Sequence, residues 1–368
     1  MVGPVVTVPL PQSALDELTT VEVTNTAERG KPSGFRLTFN LSRKSPLHTI
    51  FLLAGSSLPP IMRVIIVATI NGTPNVLMDG VITKQEVTPG AEQSNDTLTV
   101  TGVDISVVMN WIDFSGIPYP AMPIEARVLV ILAKYAIFGV VPKIIPTILF
   151  EAPIPTDKIP KQKGKDLAYI NQLAEEVGYI FYVEPGPSPG MNIAYFGPEI
   201  KVGIPQKALS INMDAHTNVE SLSFDLDTEE KTLPVTFIQE LLSKIPIPIP
   251  LPDINPLNPL LGAIPLLTRQ VEYVKDSAKR SPIQAVLYGL ARAGASADGV
   301  TGRGKLDVFR YGRPLEARKL VGVRGAGPAF DGLHYVQQVT HSIKRGEYKQ
   351  EFKLTRNGLL STLPSVPV

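Results

Sequence analysis

The chain from Val21 onward alternates apolar and polar side chains in short runs that are separated by clusters of turn-forming residues. These runs read VEVTN, FRLTFNL, IMRVIIVATI, NVLMDGVITKQEVT and DTLTVTGVDISVVM, with turn clusters such as ERGKPSG and PGAEQSN between them. A period of two residues is typical of half-buried strands, and no long helical pattern interrupts the series. The pattern therefore predicts an antiparallel barrel or sandwich for this part of the chain.

The middle of the chain changes to helical periodicity. The run IEARVLVILAKYAIFGVV at 124–141 predicts a helix that is either buried or used in a subunit contact. It contains Glu125, Arg127 and Lys134 and falls short of about 20 uninterrupted apolar residues, which argues against a membrane span. A second, amphipathic helix, DLAYINQLAEEV, is predicted to end at Gly178. The strands YIFYVE and MNIAYFG follow it, so 164–197 is predicted to form an α+β hairpin unit.

The last third of the chain is again strand-like. KALSINMD and VESLSFDLD predict a further strand pair, and a helix is expected from about Pro282 to Arg292. Four strands are then predicted to close the chain, with the sequences RGKLDVFRYG, ARKLVGVRG, LHYVQQVTHSIKRG and YKQEFKLTRNG.

A proline-rich segment with large aliphatic side chains stands between these regions. It begins IPIPIPLP at 245–252 and continues to Leu267 with Asp253 as its single charge. Alternating prolines fix the backbone in an extended form and remove every second donor, which leaves an edge strand or a polyproline II rod. Four exposed aliphatic side chains would forgo about 6–12 kcal/mol of burial. The segment is therefore expected to pack on its own domain or on another protein chain.

Composition excludes several classes of protein. The 368 residues predict two or three domains, and a formal net charge of +1 argues against a dedicated nucleic-acid binder. Cysteine is absent, so disulfides and thiolate metal sites are excluded. The start, MVGPVVTVPLPQSALDEL, lacks the basic region of a signal peptide.

The motif GVTGRGKL resembles a phosphate-binding loop only in part. Gly299, Gly304 and Lys305 match the spacing, but Leu306 replaces the hydroxyl residue that binds magnesium. The motif also follows a predicted helix and enters a strand, whereas a phosphate loop leaves a strand. We interpret it as a β-turn.

Asp225 and Asp227 are the one carboxylate pair with a spacing that suits sugar hydrolysis. Residues two apart on a strand share a face at roughly 7 Å, within the separation that glycosidases use. A solvated strand face is the better explanation, because no second motif supports catalysis.

The remaining candidate residues have structural explanations. The histidines His48, His216, His334 and His341 form no pair with metal-binding spacing. His341 is expected to lie on a strand and bond its neighbours. The basic run KIPKQKGK at 158–165 is expected to be a solvated loop, with contact to an acidic partner as the alternative.

Three segments in order resemble the baseplate hub family of contractile injection machines, which includes phage late control protein D and the hub portion of VgrG. They are NDTLTVTGVDISVVMNW with PYPAMPIEARVLVILAKY, then GKDLAYINQLAEEVGYIFYV, then HYVQQVTHSIKRGEYKQEFKLTRNG. Each motif is loose, and their order and spacing carry the resemblance. Together they span most of 95–358.

The resemblance implies a mainly β fold with an α+β insert: two tail-tube-like antiparallel β-barrels and a lateral α+β domain. The domains expected are an N-terminal arm at 1–17, a first barrel at 18–115, a lateral domain at 116–205 and 236–297, a second barrel at 206–235 and 298–360, and a tail at 361–368. The two barrels show no obvious sequence repeat, so their equivalence follows from the resemblance alone.

The same resemblance implies a structural, non-enzymatic protein without cofactors. It is expected to be a homotrimer in the tail baseplate of a virion, assembled in the host cytoplasm, that adapts a sixfold tail tube to a threefold central spike. DNA would pass through its axial channel without specific binding, and no stable membrane insertion is expected. Fused relatives continue into a spike, so the spike is expected to be a separate protein here.

The proline-rich segment suits docking onto a neighbouring copy or another baseplate component, and 141–160 is a second candidate arm. The expected interface residues are Ile245, Ile247, Ile249, Leu251, Ile254, Leu257 and Leu260. The alternatives are a hub in a bacterial injection particle, a peptidoglycan-degrading hydrolase that uses Asp225 and Asp227, and a monomeric carbohydrate-binding module.

Overall fold

The protein is described here by a computed structural model. It describes residues 1–42, 45–53, 61–90, 96–147, 159–227, 232–239, 246–250, 258–267, 270–273, 282–295 and 297–363.

The N-terminal third is built from strands, as the alternating pattern predicted. Its elements are β1 (Val2–Gly3), α1 (Gln12–Asp16), β2 (Leu18–Thr26), β3 (Gly34–Leu41), β4 (Arg63–Ile70), β5 (Thr73–Thr88) and β6 (Asp96–Asp104). The side chains on one side of β3 are buried and those on the other are not, which is the burial that its alternating sequence requires.

An α+β unit follows. It contains α2 (Ile124–Ala133), β7 (Val140–Ile144), α3 (Asp166–Glu176), β8 (Ile180–Pro185) and β9 (Asn192–Gly197). The strands form a three-stranded sheet in the order β7-β9-β8. The helix α3 and the two strands after it confirm the predicted α+β hairpin unit.

The C-terminal part contains short and long strands around two helices. Its elements are β10 (Gln206–Ser210), β11 (Ser221–Leu226), β12 (Thr232–Gln239), β13 (Pro246–Pro250), β14 (Gly262–Pro265), β15 (Gln270–Tyr273), α4 (Pro282–Ala295), β16 (Val300–Asp307), α5 (Val308–Tyr311), β17 (Leu320–Arg324), β18 (Gly332–Lys344), β19 (Glu347–Arg356) and β20 (Gly358–Ser361). The predicted helix after Pro282 is confirmed as α4.

Most of these strands belong to one 12-stranded sheet. Its order is β1-β4-β5-β6-β3-β2-β18-β19-β16-β11, and β17 pairs with both β18 and β10. Two smaller sheets have the orders β13-β12-β15 and β14-β20. The main core lies on one face of the large sheet and includes Phe39 and Leu98 from its first half and Val339 and Leu354 from its second. A second core joins α2 and α3 to β8 and β9.

The mainly β fold with an α+β insert is confirmed. The strands of the two expected barrels belong to one sheet, because β2 pairs with β18 along seven residue pairs. The hydrogen-bonded network of the described strands has open ends at β1, β11 and β10, so it forms no closed barrel. The domain bounds given above remain predictions.

The helix predicted over 124–141 was too long. α2 ends at Ala133, a 3₁₀ turn spans Ala136–Phe138, and Val140 begins a strand. Gly139 adopts a left-handed φ of 70°, and a Cβ there would lie 1.9 Å from the carbonyl oxygen of Gly190. This turn ends the helical path and directs Val140 onto β9, whose pairing no local pattern reveals.

Two further strand predictions were wrong. β10 and β11 do not pair with each other: β10 lies parallel to β17 and β11 lies antiparallel to β16. The segment VFRY, predicted as the end of a strand, is the helical turn α5. The carboxylate of Asp307 accepts hydrogen bonds from the backbone N–H groups of Phe309 and Arg310, which caps this turn.

No helix among the described residues is long and apolar enough to cross a membrane.

Candidate functional site: a duplicated sheet with a polar face

The large sheet contains the same strand arrangement twice. In chain order the two sets are β2, β3, β4, β5, β6 and β11, β16, β17, β18, β19. In the sheet they lie as β4-β5-β6-β3-β2 and as β17-β18-β19-β16-β11. All pairs within both sets are antiparallel. The second set therefore repeats the strand order and pairing directions of the first.

A register shift at the same place in both sets fixes which residues of the two sets correspond. The pairing of β5 with β6 shifts between Ile82 and Lys84, and that of β18 with β19 shifts between Val336 and Gln338. Because β-bulges are specific features of a strand, their coincidence makes Lys84 the counterpart of Gln338. Following the same ladders from this point makes Val23 of β2 the counterpart of Phe224 of β11, and Thr24 the counterpart of Asp225.

The two sets meet at the pair formed by β2 and β18. Val23 lies opposite His341, and both side chains are buried in the core. On the other face the hydroxyl oxygens of Thr24 and Thr340 are 3.1 Å apart and share a hydrogen bond. This junction protects the last strand of the first set by pairing it with a strand of the second.

The face of the sheet opposite the core is polar in both sets. Strand alternation places these side chains on it: Glu22, Thr24, Arg36, Thr38, Lys84, Glu86, Thr99, Thr101, Ser221, Ser223, Asp225, Arg303, Lys305, Thr340, Ser342, Lys349, Glu351 and Lys353. Positive and negative side chains are interspersed with hydroxyls. A broad strand surface of this composition stays hydrated and offers no concentrated charge of one sign.

Neighbouring charges on this face neutralise one another. The ammonium of Lys84 donates a hydrogen bond to Glu86 at 2.6 Å and lowers the pKa of that carboxyl. Lys349 lies 2.9 Å from Glu220 and 3.0 Å from Glu347, and these hydrogen bonds raise the pKa of its ammonium. The charged forms of both residues are therefore maintained at neutral pH.

The core side of the second set contains two buried histidines. The Tyr348 hydroxyl lies 2.7 Å from Nδ1 of His341, and burial lowers the pKa of this imidazole to about 4. Nδ1 of His334 donates to the carbonyl oxygen of Gly332 at 3.3 Å, and burial lowers its pKa to about 3. Both are neutral at pH 7. The structural role expected for His341 is confirmed.

Arg318 connects the α+β unit to the sheet. Its guanidinium lies 4.1 Å from the ring centre of Tyr182 and 3.7 Å from a carboxylate oxygen of Glu184, and it donates a hydrogen bond to the carbonyl oxygen of Thr26. Burial raises the pKa of Glu184, and the adjacent Arg318 opposes that rise. The arrangement joins β8 to the end of β2.

The proline-rich segment contributes an edge strand. β13 pairs only with β12 among the described strands, with Ile247 opposite Ile238 and Ile249 opposite Thr236. The edge-strand alternative is thereby confirmed. Ile247 is 48% exposed, whereas Ile249 and Leu260 are partly buried. Ile245, Leu251, Ile254 and Leu257 lie outside the described residues, and the interface role of the whole set remains a prediction.

The other candidate residues that the structure describes lie on the surface. Asp225 lies on β11 and Asp227 directly follows it, and both are exposed. Lys161, Lys163 and Lys165 are exposed, as expected for a solvated loop, and Lys158 lies outside the described residues. No group of three potential metal ligands occurs in the described parts of the chain.

The GVTGRGKL motif is not a β-turn, because its residues from Val300 lie within β16. Gly304 is required there by packing: a Cβ would lie 2.5 Å from Cζ of Phe352. Gly302 and Gly304 thus make room for the rings of Phe224 and Phe352 on the neighbouring strands, whereas a Cβ at Gly299 would meet Leu266 and the carbonyl oxygen of Asp227.

The residue patterns alone gave no sign of the duplication, which only the family resemblance implied, and sequence reasoning missed the joining of the two sets into one sheet. The two sets have no visible sequence repeat, and the bulges that align them are defined only by pairing. The alternation of threonines in DTLTVTG and of charges in EYKQEFKLTR is the one local signal of a shared polar face.

Comparison with known proteins identifies solved structures with a similar fold. No protein-family model matches the chain, and no curated protein matches its sequence. Among solved structures, a tail protein from Neisseria meningitidis MC58 has a TM-score of 0.61 at 15% identity, covering 93% of both chains. The 43 kDa tail protein of prophage MuSo2 from Shewanella oneidensis has a TM-score of 0.58 at 11% identity, covering 92% of this chain and 94% of that one.

A third similar structure comes from a secretion machine. It is an Escherichia coli component of the type VI secretion system, described as structurally similar to T4 bacteriophage tail proteins, with a TM-score of 0.52 at 13% identity. It covers 96% of this chain and 78% of its own. The chain therefore has a fold shared by phage tail proteins and a component of the type VI secretion system.

Proposed function

We propose that this protein is the structural hub of a contractile phage tail baseplate, a homotrimer around an axial channel. The duplicated strand set is the observation that carries the proposal. A chain with two equivalent sets offers two equivalent surfaces, so three copies offer six. Such a ring matches a sixfold tail tube on one side while its own symmetry matches a threefold central spike on the other.

The polar face suits the wall of the channel. Its hydroxyls and mixed charges remain hydrated, and they give no basic stripe that would retain DNA. DNA would pass without specific binding. The opposite face packs against the main core, which leaves the polar face to line the opening.

Exposed apolar side chains supply surface for other baseplate components. In the α+β unit, Leu129, Val130 and Ile137 are 47–67% exposed. With Ile247 on β13, they provide the apolar contact that an obligate assembly needs. We place the protein in the virion, with the tail tube, the central spike and other baseplate proteins as its partners and no catalytic role of its own.

The test is the mass and shape of the purified protein. We expect light scattering at micromolar concentration to give three chains, and electron microscopy along the axis to show a threefold ring with six lobes and a central hole. A monomer, or a solid particle without an opening, would refute the proposal. Digestion of purified peptidoglycan that is lost in Asp225→Asn/Asp227→Asn would instead establish a hydrolase.

A further inference from the structure

Part of one edge of β5 has no described partner strand, whereas the equivalent part of its counterpart β18 is paired. β4 covers β5 up to Val81, and no described strand lies on that side from Lys84 to Thr88. The corresponding part of β18, from Gln338 to Lys344, pairs there with β2.

The opposite end of the sheet has the matching open strand. β11 pairs with β16 on one side and is the last strand of the described order. Its counterpart β2 pairs with β18 on the side that β11 leaves open. Each chain thus has an open strand equivalent to β2, which is β11, and an open strand segment equivalent to part of β18, which is residues 84–88 of β5.

We propose that β11 of one copy pairs antiparallel with residues 84–88 of β5 of a second copy, in the register that joins β2 to β18. This inference rests on the proposed ring and specifies its intersubunit contact. Transferring the register through the two bulges places Asp225 opposite Glu86, because their counterparts Thr24 and Thr340 are opposite. It also places Phe224 opposite Val87.

The apolar side of this contact is favourable. Val87 is 40% exposed and Leu226 is 42% exposed, whereas Val23 and His341 at the internal junction are fully buried. Phe224 already stacks on Phe330, with ring centres 4.7 Å apart. Pairing would extend this apolar layer across the junction and cover both exposed side chains.

The polar side contains a like-charge pair and a counter-ion. Asp225 and Glu86 face each other directly, which weakens the contact. The register also places Lys84 opposite Asp227 and diagonal to Asp225. The Lys84 ammonium already donates a hydrogen bond to Glu86 of its own strand. We therefore expect Glu86→Gln to tighten the association about 2- to 5-fold, the range of a cross-strand pair of roughly 0.4–1 kcal/mol.

The contact is heterologous, because the β11 end of one chain meets the β5 end of the next. Such contacts close into rings when the rotation permits and otherwise continue as open filaments. Closure also pairs the open edge of β11 and the open part of β5 in every chain.

Disulfide trapping tests the register directly, since the natural chain contains no cysteine. Opposed residues of antiparallel strands have Cα atoms about 4.5–5.5 Å apart, within disulfide range. Along the sheet, the strands of positions 86 and 225 of one chain are seven spacings apart, on the order of 34 Å. A bond within one chain would in any case run as a monomer, so the gel distinguishes it from a bond between chains. We expect oxidised Glu86→Cys/Asp225→Cys to run as covalent dimers and trimers on a non-reducing gel.

The controls separate register from assembly. Val87→Cys/Asp225→Cys places the thiols on opposite sheet faces and should remain uncrosslinked, as should either single Glu86→Cys or Asp225→Cys variant. Trimers by light scattering that do not crosslink at 86 and 225, or that crosslink equally at 87 and 225, overturn the register while the hub proposal stands. A monomeric protein overturns both.

Discussion

Both carboxylate oxygens of Asp79 accept hydrogen bonds from the guanidinium of Arg63, at 2.7 and 2.6 Å, with both side chains almost fully buried. Arg63 also donates to the carbonyl oxygens of Phe138 and Gly190, at 2.8 and 3.0 Å. The pair therefore connects β4 and β5 of the sheet to the α+β unit. Fully hydrogen-bonded geometry is what allows two charges to be buried there.

Breaking this pair should destabilise the fold strongly. We expect Arg63→Met to lower the free energy of unfolding by about 3–5 kcal/mol, because Asp79 is left charged and buried without its partner. Urea unfolding measures the change. The matched control is Lys319→Met, which breaks the exposed pair with Glu316 and should cost less than about 1 kcal/mol. Equal losses in the two variants would contradict this account of Arg63.

The buried histidines should make stability fall as the solution is acidified. Unfolded imidazoles bind protons near pH 6.5, whereas His341 and His334 in the fold resist protonation until about pH 4 and 3. Between these values the unfolded state binds more protons, so stability present above pH 6.5 is lost as pH falls. Each histidine contributes a slope of up to about 1.4 kcal/mol per pH unit.

The variant His341→Gln isolates one of these contributions. Its unfolding free energy should depend less steeply on pH between 4 and 6 than that of the natural protein. The decrease in slope should correspond to at most one proton fewer bound on unfolding. His216→Gln, on the exposed 3₁₀ turn Asp214–His216, controls for the loss of an imidazole elsewhere. An unchanged slope in His341→Gln would show that its burial is not coupled to folding.

Gly304 should not tolerate a side chain. A Cβ would lie 2.5 Å from Cζ of Phe352 and 2.5 Å from the carbonyl oxygen of Ser221, so Gly304→Ala should cost about 1–3 kcal/mol. The double variant Gly304→Ala/Phe352→Leu should lose less than the sum of its two single variants, because the smaller side chain relieves the clash. Strict additivity in thermal and urea unfolding would rule out the ring contact as the cause.

The prolines of β13 should limit pairing at its outer edge. β13 bonds β12 on one side, and prolines at alternate positions leave no N–H donors to template another strand on the other. Pro248→Val restores a donor and should increase concentration-dependent self-association, measured by light scattering. Ile247→Val is the control, since it changes a side chain and no donor. No difference between the two would mean that this edge is covered by other means.

The sequence by itself determined which segments are strands and which are helices wherever a local period is strong. Phe35, Leu37 and Phe39 alternate with polar residues and bury one face of β3, and Tyr169, Ile170 and Leu173 repeat at helical spacing and bury one face of α3. Alternating prolines restricted 246–250 to an extended edge. Each of these outcomes depends on residues a few positions apart.

Only the tertiary structure decided which strands meet. β10 and β11 are neighbours in the chain, yet their partners β17 and β16 lie about 75 to 115 residues further along it. Likewise, Val23 and His341 meet because β2 completes the layer that β18 begins, and this merges two expected barrels into one sheet. Pairing depends on backbone hydrogen bonds and on burial summed over distant strands. A local pattern specifies neither the partner nor the register.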